Sequence, residues 1–138
     1  MRIILDTNVL ISGLLTPSGN CGQIVRMITS EQFCLCIDAR ILSEYHEVIR
    51  RPDFDIDSVQ ADIVLDYIET TAEYFAAAPL ETSLPDRDDE SFLEVAIAAR
   101  ADCVVTGNLK HFPGRQRSGI RVLSPAEFLE FYRKRLTE

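Results

Sequence analysis

The chain has 138 residues, 46% of them apolar, which suits one compact domain that buries a core without disulfide or metal staples. Fourteen Lys and Arg stand against 22 Asp and Glu, and the net charge of −8 excludes a broad basic surface that grips phosphates by bulk charge. An enzyme of nucleic acids is still admitted, because acids that hold a cation enter this sum and the cation does not.

Arg2–Leu5 reads as a short buried strand, RIIL, ending at Asp6. A helix is expected after Ser18-Gly19-Asn20, with Ile24, Val25 and Ile28 on one side. Residues 33–37 form a second apolar run of strand length, closed by Asp38. Over residues 39–51 the apolar positions Ile41, Leu42, Tyr45, Val48 and Ile49 repeat at helical spacing, and Pro52 stops the run. Residues 57–75 read as one longer helix, with Asp62, Asp66, Glu69 and Glu73 as its solvated face. Residues 79–89 are polar and turn-like. Phe92, Val95, Ala96 and Ala99 then make a helix face, with Asp88 and Asp89 at the start, where acids suit the helix dipole.

Residues 103–106 and 121–123 read as third and fourth strands, and Ser124-Pro125 opens a last helix as cap and first-turn proline. Short apolar strands between helices predict a three-layer α/β/α sandwich with a mainly parallel sheet. No repeat or long linker divides the chain, so residues 1–138 read as a single domain. Cys21, Cys34, Cys36 and Cys103 form no C-x-x-C pair and lack zinc spacing to His46 or His111, so they read as structural thiols. Asp6 interrupts any signal-peptide core, and Gly, Pro and Asn break the uncharged stretch 7–25. A soluble cytoplasmic protein with no membrane association is expected.

In open α/β sheets, sites form beyond the carboxyl ends of the strands. That rule selects Asp6, Asp38 and Asn108, with their neighbours Thr7, Asn8 and Thr106. Glu44 borders the apolar stripe of its helix, where a carboxylate needs either a metal or an ion pair with Arg40 or Arg51. Asp86, Asp88 and Asp89 make a second acidic group, which alone would read as a solvated helix cap.

The stretches LDTNVLISGLL, LSEYHEVIRRP, PDRDDESFLEVAIAARADCVVTGN, KHF and IRVLSPAEFLE together resemble the PIN domain, in the branch of VapC-type toxins of bacterial toxin–antitoxin pairs. The resemblance spans essentially the whole chain. It implies an α/β/α sandwich and a ribonuclease that uses Mg²⁺ or Mn²⁺ held by a cluster of acids. Asp6 matches the first acid, Glu44 the second and Asp89 the third, a place that Asp86 could take instead. Asn108 stands where many PIN domains carry a fourth acid. A toxin role, a protein antitoxin and a homodimer are further implications.

The residue chemistry agrees with this, since such hard cations favour the oxygen donors that Asp, Glu and Asn supply. No histidine nucleophile is needed, and His46 reads as an ordinary surface or core histidine. Lys110, His111 and Arg115 follow directly on Asn108 and are expected, with Thr7, Asn8 and Thr106, to face the RNA. Two rivals come from other classes. A phosphoacceptor receiver domain would want an acid pair after the first strand, which Asp6-Thr7-Asn8 lacks. A catalytically weak PIN fold that only binds RNA or protein is motivated by Asn108.

Overall fold

A computed structural model describes residues 1–137. Five strands, β1 (Arg2–Leu5), β2 (Cys34–Ile37), β3 (Glu73–Tyr74), β4 (Cys103–Val105) and β5 (Val122–Leu123), form one sheet in the order β3-β2-β1-β4-β5. Every pairing is parallel. The helices are α1 (Thr7–Leu15), α2 (Asn20–Thr29), α3 (Ala39–Ile49), α4 (Ser58–Thr71), α5 (Glu90–Ala99) and α6 (Pro125–Leu136). Right-handed crossovers place helices on opposite faces when the chain steps along the sheet in opposite directions. The path β1 to β3 steps one way and the return to β4 steps the other, so the sheet is covered on both sides.

Apart from exposed Arg2 at the start of β1, the central strands β1 and β4 are apolar, and Ile3, Ile4, Leu5, Val104 and Val105 are fully buried. Each contributes about 1.5–3 kcal/mol by leaving water. The three-layer parallel architecture expected from the sequence is therefore present.

One helix not expected from the sequence is present, and one expectation is corrected. Thr7–Leu15 is helical, beginning directly at the end of β1, with Asp6 as its N-cap residue. Thr7, Val9, Leu10, Ile11 and Gly13 are all buried, so this helix lacks the polar face that would have revealed its period. The long helix of residues 57–75 stops at Thr71, because Ala72 turns to extended backbone at φ −65°, ψ 151°. Glu73 and Tyr74 then pair with Cys36 and Ile37 as β3, a fifth strand made by tertiary pairing against helical periodicity. Glu73 thus leaves the solvated face that Asp62, Asp66 and Glu69 keep.

Helices α1 and α2 cross closely. A Cβ on Gly22 would sit 2.1 Å from the Pro17 carbonyl oxygen, and one on Gly13 would sit 2.6 Å from that of Cys21. Glycine is required at both places. Cys36 and Cys103 are buried and all four thiols are free, with burial pushing Cys36 and Cys103 up to about 12. They match the expectation of inert structural thiols. No helix among the described residues is long and apolar enough to cross a membrane.

Candidate metal centre

The strand order reverses between β1 and β4, and parallel sheets open a crevice at such a switch point. Asp6 stands there, 5% exposed, with its N–H donating to the Val105 carbonyl at 2.9 Å. Its Oδ2 accepts from Thr106 Oγ1 at 2.7 Å, so the ends of both strands hold one carboxylate. Thr106 Oγ1 also accepts from the Asn108 N–H at 3.0 Å, and Asn8 Oδ1 accepts from the Gly107 N–H at 3.3 Å. The loop after β4 is thereby tied to the start of α1.

Glu44 is brought in by α3. Its neighbour Tyr45 is fully buried and donates its hydroxyl to the Leu5 carbonyl at 2.5 Å, which fixes the helix against the end of β1. The Glu44 carboxylate then accepts from the Thr7 hydroxyl. Neither Arg40 nor Arg51 pairs with it. Arg40 instead bridges Asp38 at 2.8 Å and the buried Glu94 at 2.7 Å, and Arg51 lies 3.5 Å from Glu47. Asp38 also caps α3 by accepting from the Ile41 N–H, so this strand-end acid is a structural one.

Asp6, Glu44 and Asp88 border one cavity of about 450 Å³, whose remaining wall includes Ile11, Val48 and Phe54. Asp88 belongs to a 3-10 turn, Arg87–Asp89, that leads into α5. Asp86 caps this turn by accepting from the Asp88 N–H at 2.9 Å. Asp89 ends it and is 8% exposed. A second 3-10 turn, Leu109–His111, carries His111 Nδ1 to 2.9 Å from Asp89 Oδ2. That contact lacks hydrogen-bond alignment, so Asp89 Oδ2 stays buried and unsatisfied. One donor atom each from Asp86, Asp89 and His111 lie within 4.8 Å of one another.

The electrostatics follow from this crowding. Burial raises the Asp6 carboxyl above its ordinary value, opposed by the bond from Thr106 and the backbone N–H groups of Asn8 and Thr7. Burial also raises Glu44, against the Thr7 bond and with the Asp6 and Asp88 charges. Asp89 is pushed up to about 6 by burial and by Asp6, while the nearby His111 pulls the other way. Among the described residues no Lys or Arg pairs with Asp6, Glu44 or Asp89. Arg51 also lines the cavity but is turned to Glu47, and carboxylates gathered with no Lys or Arg ion pair, one of them with a buried oxygen that lacks a hydrogen bond, fit a divalent ion bound through oxygen.

The other residues selected from the sequence occupy varied places around this network. The Thr7 and Thr106 hydroxyls donate to the Glu44 and Asp6 carboxylates. His111, its side chain 42% exposed, reaches Asp89, while Lys110 and Arg115 are exposed and form no ion pair among the described residues. Asn108 is exposed and joins the network through its backbone. His46 contacts Arg50 on the surface of α3, as an ordinary histidine would. Sequence reasoning missed Asp88 as a wall of the cavity and His111 as a partner of Asp89. Both depend on 3-10 turns that hydrophobic periodicity does not mark.

Comparison with known proteins agrees with this architecture. The chain is 24% identical to uncharacterized protein MJ1680 of Methanocaldococcus jannaschii, over 97% of this chain and 93% of that protein. Its fold is similar to a chain in the crystal structure of VapBC2 from Rickettsia felis bound to a DNA fragment from their promoter. The TM-score is 0.60 at 16% identity, covering 90% of this chain and 98% of the other. The PIN domain profile matches residues 2–110. The chain belongs to the PIN domain family.

Proposed function

We propose that this protein is a metal-dependent endoribonuclease that hydrolyses RNA phosphodiester bonds and serves as the toxin of a toxin–antitoxin pair. The observation that supports the reading is the gathering of acids at the switch point, with Asp6, Glu44 and Asp88 on one cavity and Asp89 near enough to feel the Asp6 charge, none of them ion-paired to Lys or Arg among the described residues. Asp6, Glu44 and Asp89, with Asp86 beside them, would hold Mg²⁺ or Mn²⁺. Bound there, the ion would lower the pKa of a coordinated water and neutralise charge on the attacked phosphate.

The chain's own groups have separable tasks. Thr106 and Thr7 hold the Asp6 and Glu44 carboxylates in fixed orientations. Tyr45 anchors the helix that carries Glu44. Lys110 and Arg115, exposed beside the loop after β4, would supply positive charge for the RNA backbone. The likeness to a VapBC2 chain supports a protein antitoxin as partner, and a homodimer belongs to the same reading.

Asn108 favours a second reading, a PIN fold that binds RNA or protein with little catalysis, because an amide adds no negative charge to the cluster. The two readings part on one experiment. Purified protein incubated with a panel of single-stranded and structured RNAs should cleave in Mn²⁺ or Mg²⁺ and stop in EDTA. Binding without metal-dependent cleavage would favour the second reading.

A further inference from the structure

His111 has no task in the hydrolysis outlined above, yet a separate element brings it into the acid cluster. Donor atoms of Asp86, Asp89 and His111 lie within 4.8 Å of one another. Ligand bonds of about 2.0–2.6 Å place donors on a shared ion at spacings of this order. Each of the three has a donor available. Asp86 Oδ1 accepts from the Asp88 N–H, leaving the other oxygen of that carboxylate uncommitted. Asp89 is 8% exposed, and its Oδ2 is shielded from water without a hydrogen-bond partner. The His111 ring nitrogen lies 2.9 Å from that oxygen but is not aligned to satisfy it. A buried carboxylate oxygen in this state is costly unless a cation meets it.

We propose that Asp86, Asp89 and His111 form a divalent-cation site in which His111 is a nitrogen ligand, so that the site favours Mn²⁺ and Co²⁺ over Mg²⁺. Imidazole suits first-row transition ions, with affinity rising along the series from Mn²⁺ to Co²⁺, whereas Mg²⁺ prefers oxygen donors and keeps its waters. An acid cluster alone would not discriminate in this way. The proposal shares its acids with the nuclease reading but needs no RNA, so the two can fail separately.

The test uses untagged full-length protein, stripped with EDTA and loaded with Mn²⁺ in the absence of RNA. The chain has two histidines, so an imidazole signal has only two possible sources. Pulsed electron paramagnetic resonance should show coupling to an imidazole ¹⁴N in the wild type and in His46→Gln, and none in His111→Gln. Calorimetric titration should show Co²⁺ binding weakened by about tenfold or more in His111→Gln, with Mg²⁺ binding changed less than about threefold. Circular dichroism confirms that the variant is folded, and the wild-type spectrum is informative whether or not it is. Absence of nitrogen coupling in the wild type, coupling that survives His111→Gln, or equal losses for Co²⁺ and Mg²⁺ would overturn the site. Nitrogen coupling without RNA cleavage would leave the site standing and remove the nuclease reading; cleavage without coupling would do the reverse.

Discussion

The two ends of the sheet treat their charges in opposite ways. At the amino ends of the strands, Asp102 accepts from the Arg2 N–H at 2.8 Å and meets Arg135 at 3.4 Å. Arg2 also pairs with Glu73 at 3.1 Å, and Arg121 stacks over Phe131 at 4.5 Å from the ring centre. At the carboxyl ends, Asp6, Glu44 and Asp89 are buried or half-buried, lack an Arg or Lys partner, and have raised pKa values. Charges that serve only the fold are matched by folding. The unmatched group is the one to which the proposed divalent ion is assigned.

A similar contrast runs within the carboxyl end itself. Asp38 and Asp6 both follow a buried strand, but Arg40 neutralises the first and joins it to buried Glu94. Removing a matched charge should destabilise, and removing an unmatched one should stabilise the metal-free protein. Arg40→Ala should therefore give the largest stability change. It leaves Glu94, 7% exposed, with only the Leu80 N–H for company, and should cost roughly 2 kcal/mol after allowing for the exposed guanidinium. Urea denaturation measures it, and no loss would show that the bridge is ornamental.

Asp89→Asn should act in the other direction. In EDTA it removes a net unfavourable buried charge and should raise the thermal midpoint by roughly 3 °C, an effect near 1 kcal/mol. A falling midpoint in EDTA would mean that the contact with His111 outweighs burial and repulsion.

The wild type should show the same effect through pH. Asp89 titrates near 6 when folded and near 3.8 when unfolded, so between these values the native state binds more protons. Stability from this group is then full at and below about pH 3.8 and is lost as pH rises through about 6. Mn²⁺ should flatten that decline, because a cation replaces the proton. A pH series of denaturation midpoints, with and without Mn²⁺, checks the sign. The smallest expected effect is Asp102→Asn at the opposite end, a loss of at most about 1 kcal/mol that does not respond to metal.

Much of this contrast was readable before the fold was known. Asp6 is marked by a buried strand that ends in an acid, and Glu44 by its place beside an apolar helical stripe. Both signals are local. The pairing of Arg40 with Glu94 was not readable, because it joins α3 to α5 across 54 residues of chain. His111 and Asp89 meet through two 3-10 turns, where three-residue repeats carry no hydrophobic period. Helix α1 escaped notice for the reverse reason, being buried around most of its circumference. Strand β3 exists because β2 has a free edge, and an edge is a property of the sheet rather than of residues 73 and 74.

The central claim is that the unmatched acids are matched by a divalent ion that hydrolyses RNA. The most direct measurement compares wild type with Asp6→Asn, prepared identically, on the same labelled RNA in Mn²⁺, with circular dichroism on both. The account predicts that the variant stays folded and loses nearly all cleavage, since the amide keeps the side chain's volume but not its charge. Equal cleavage by the two folded proteins would contradict it.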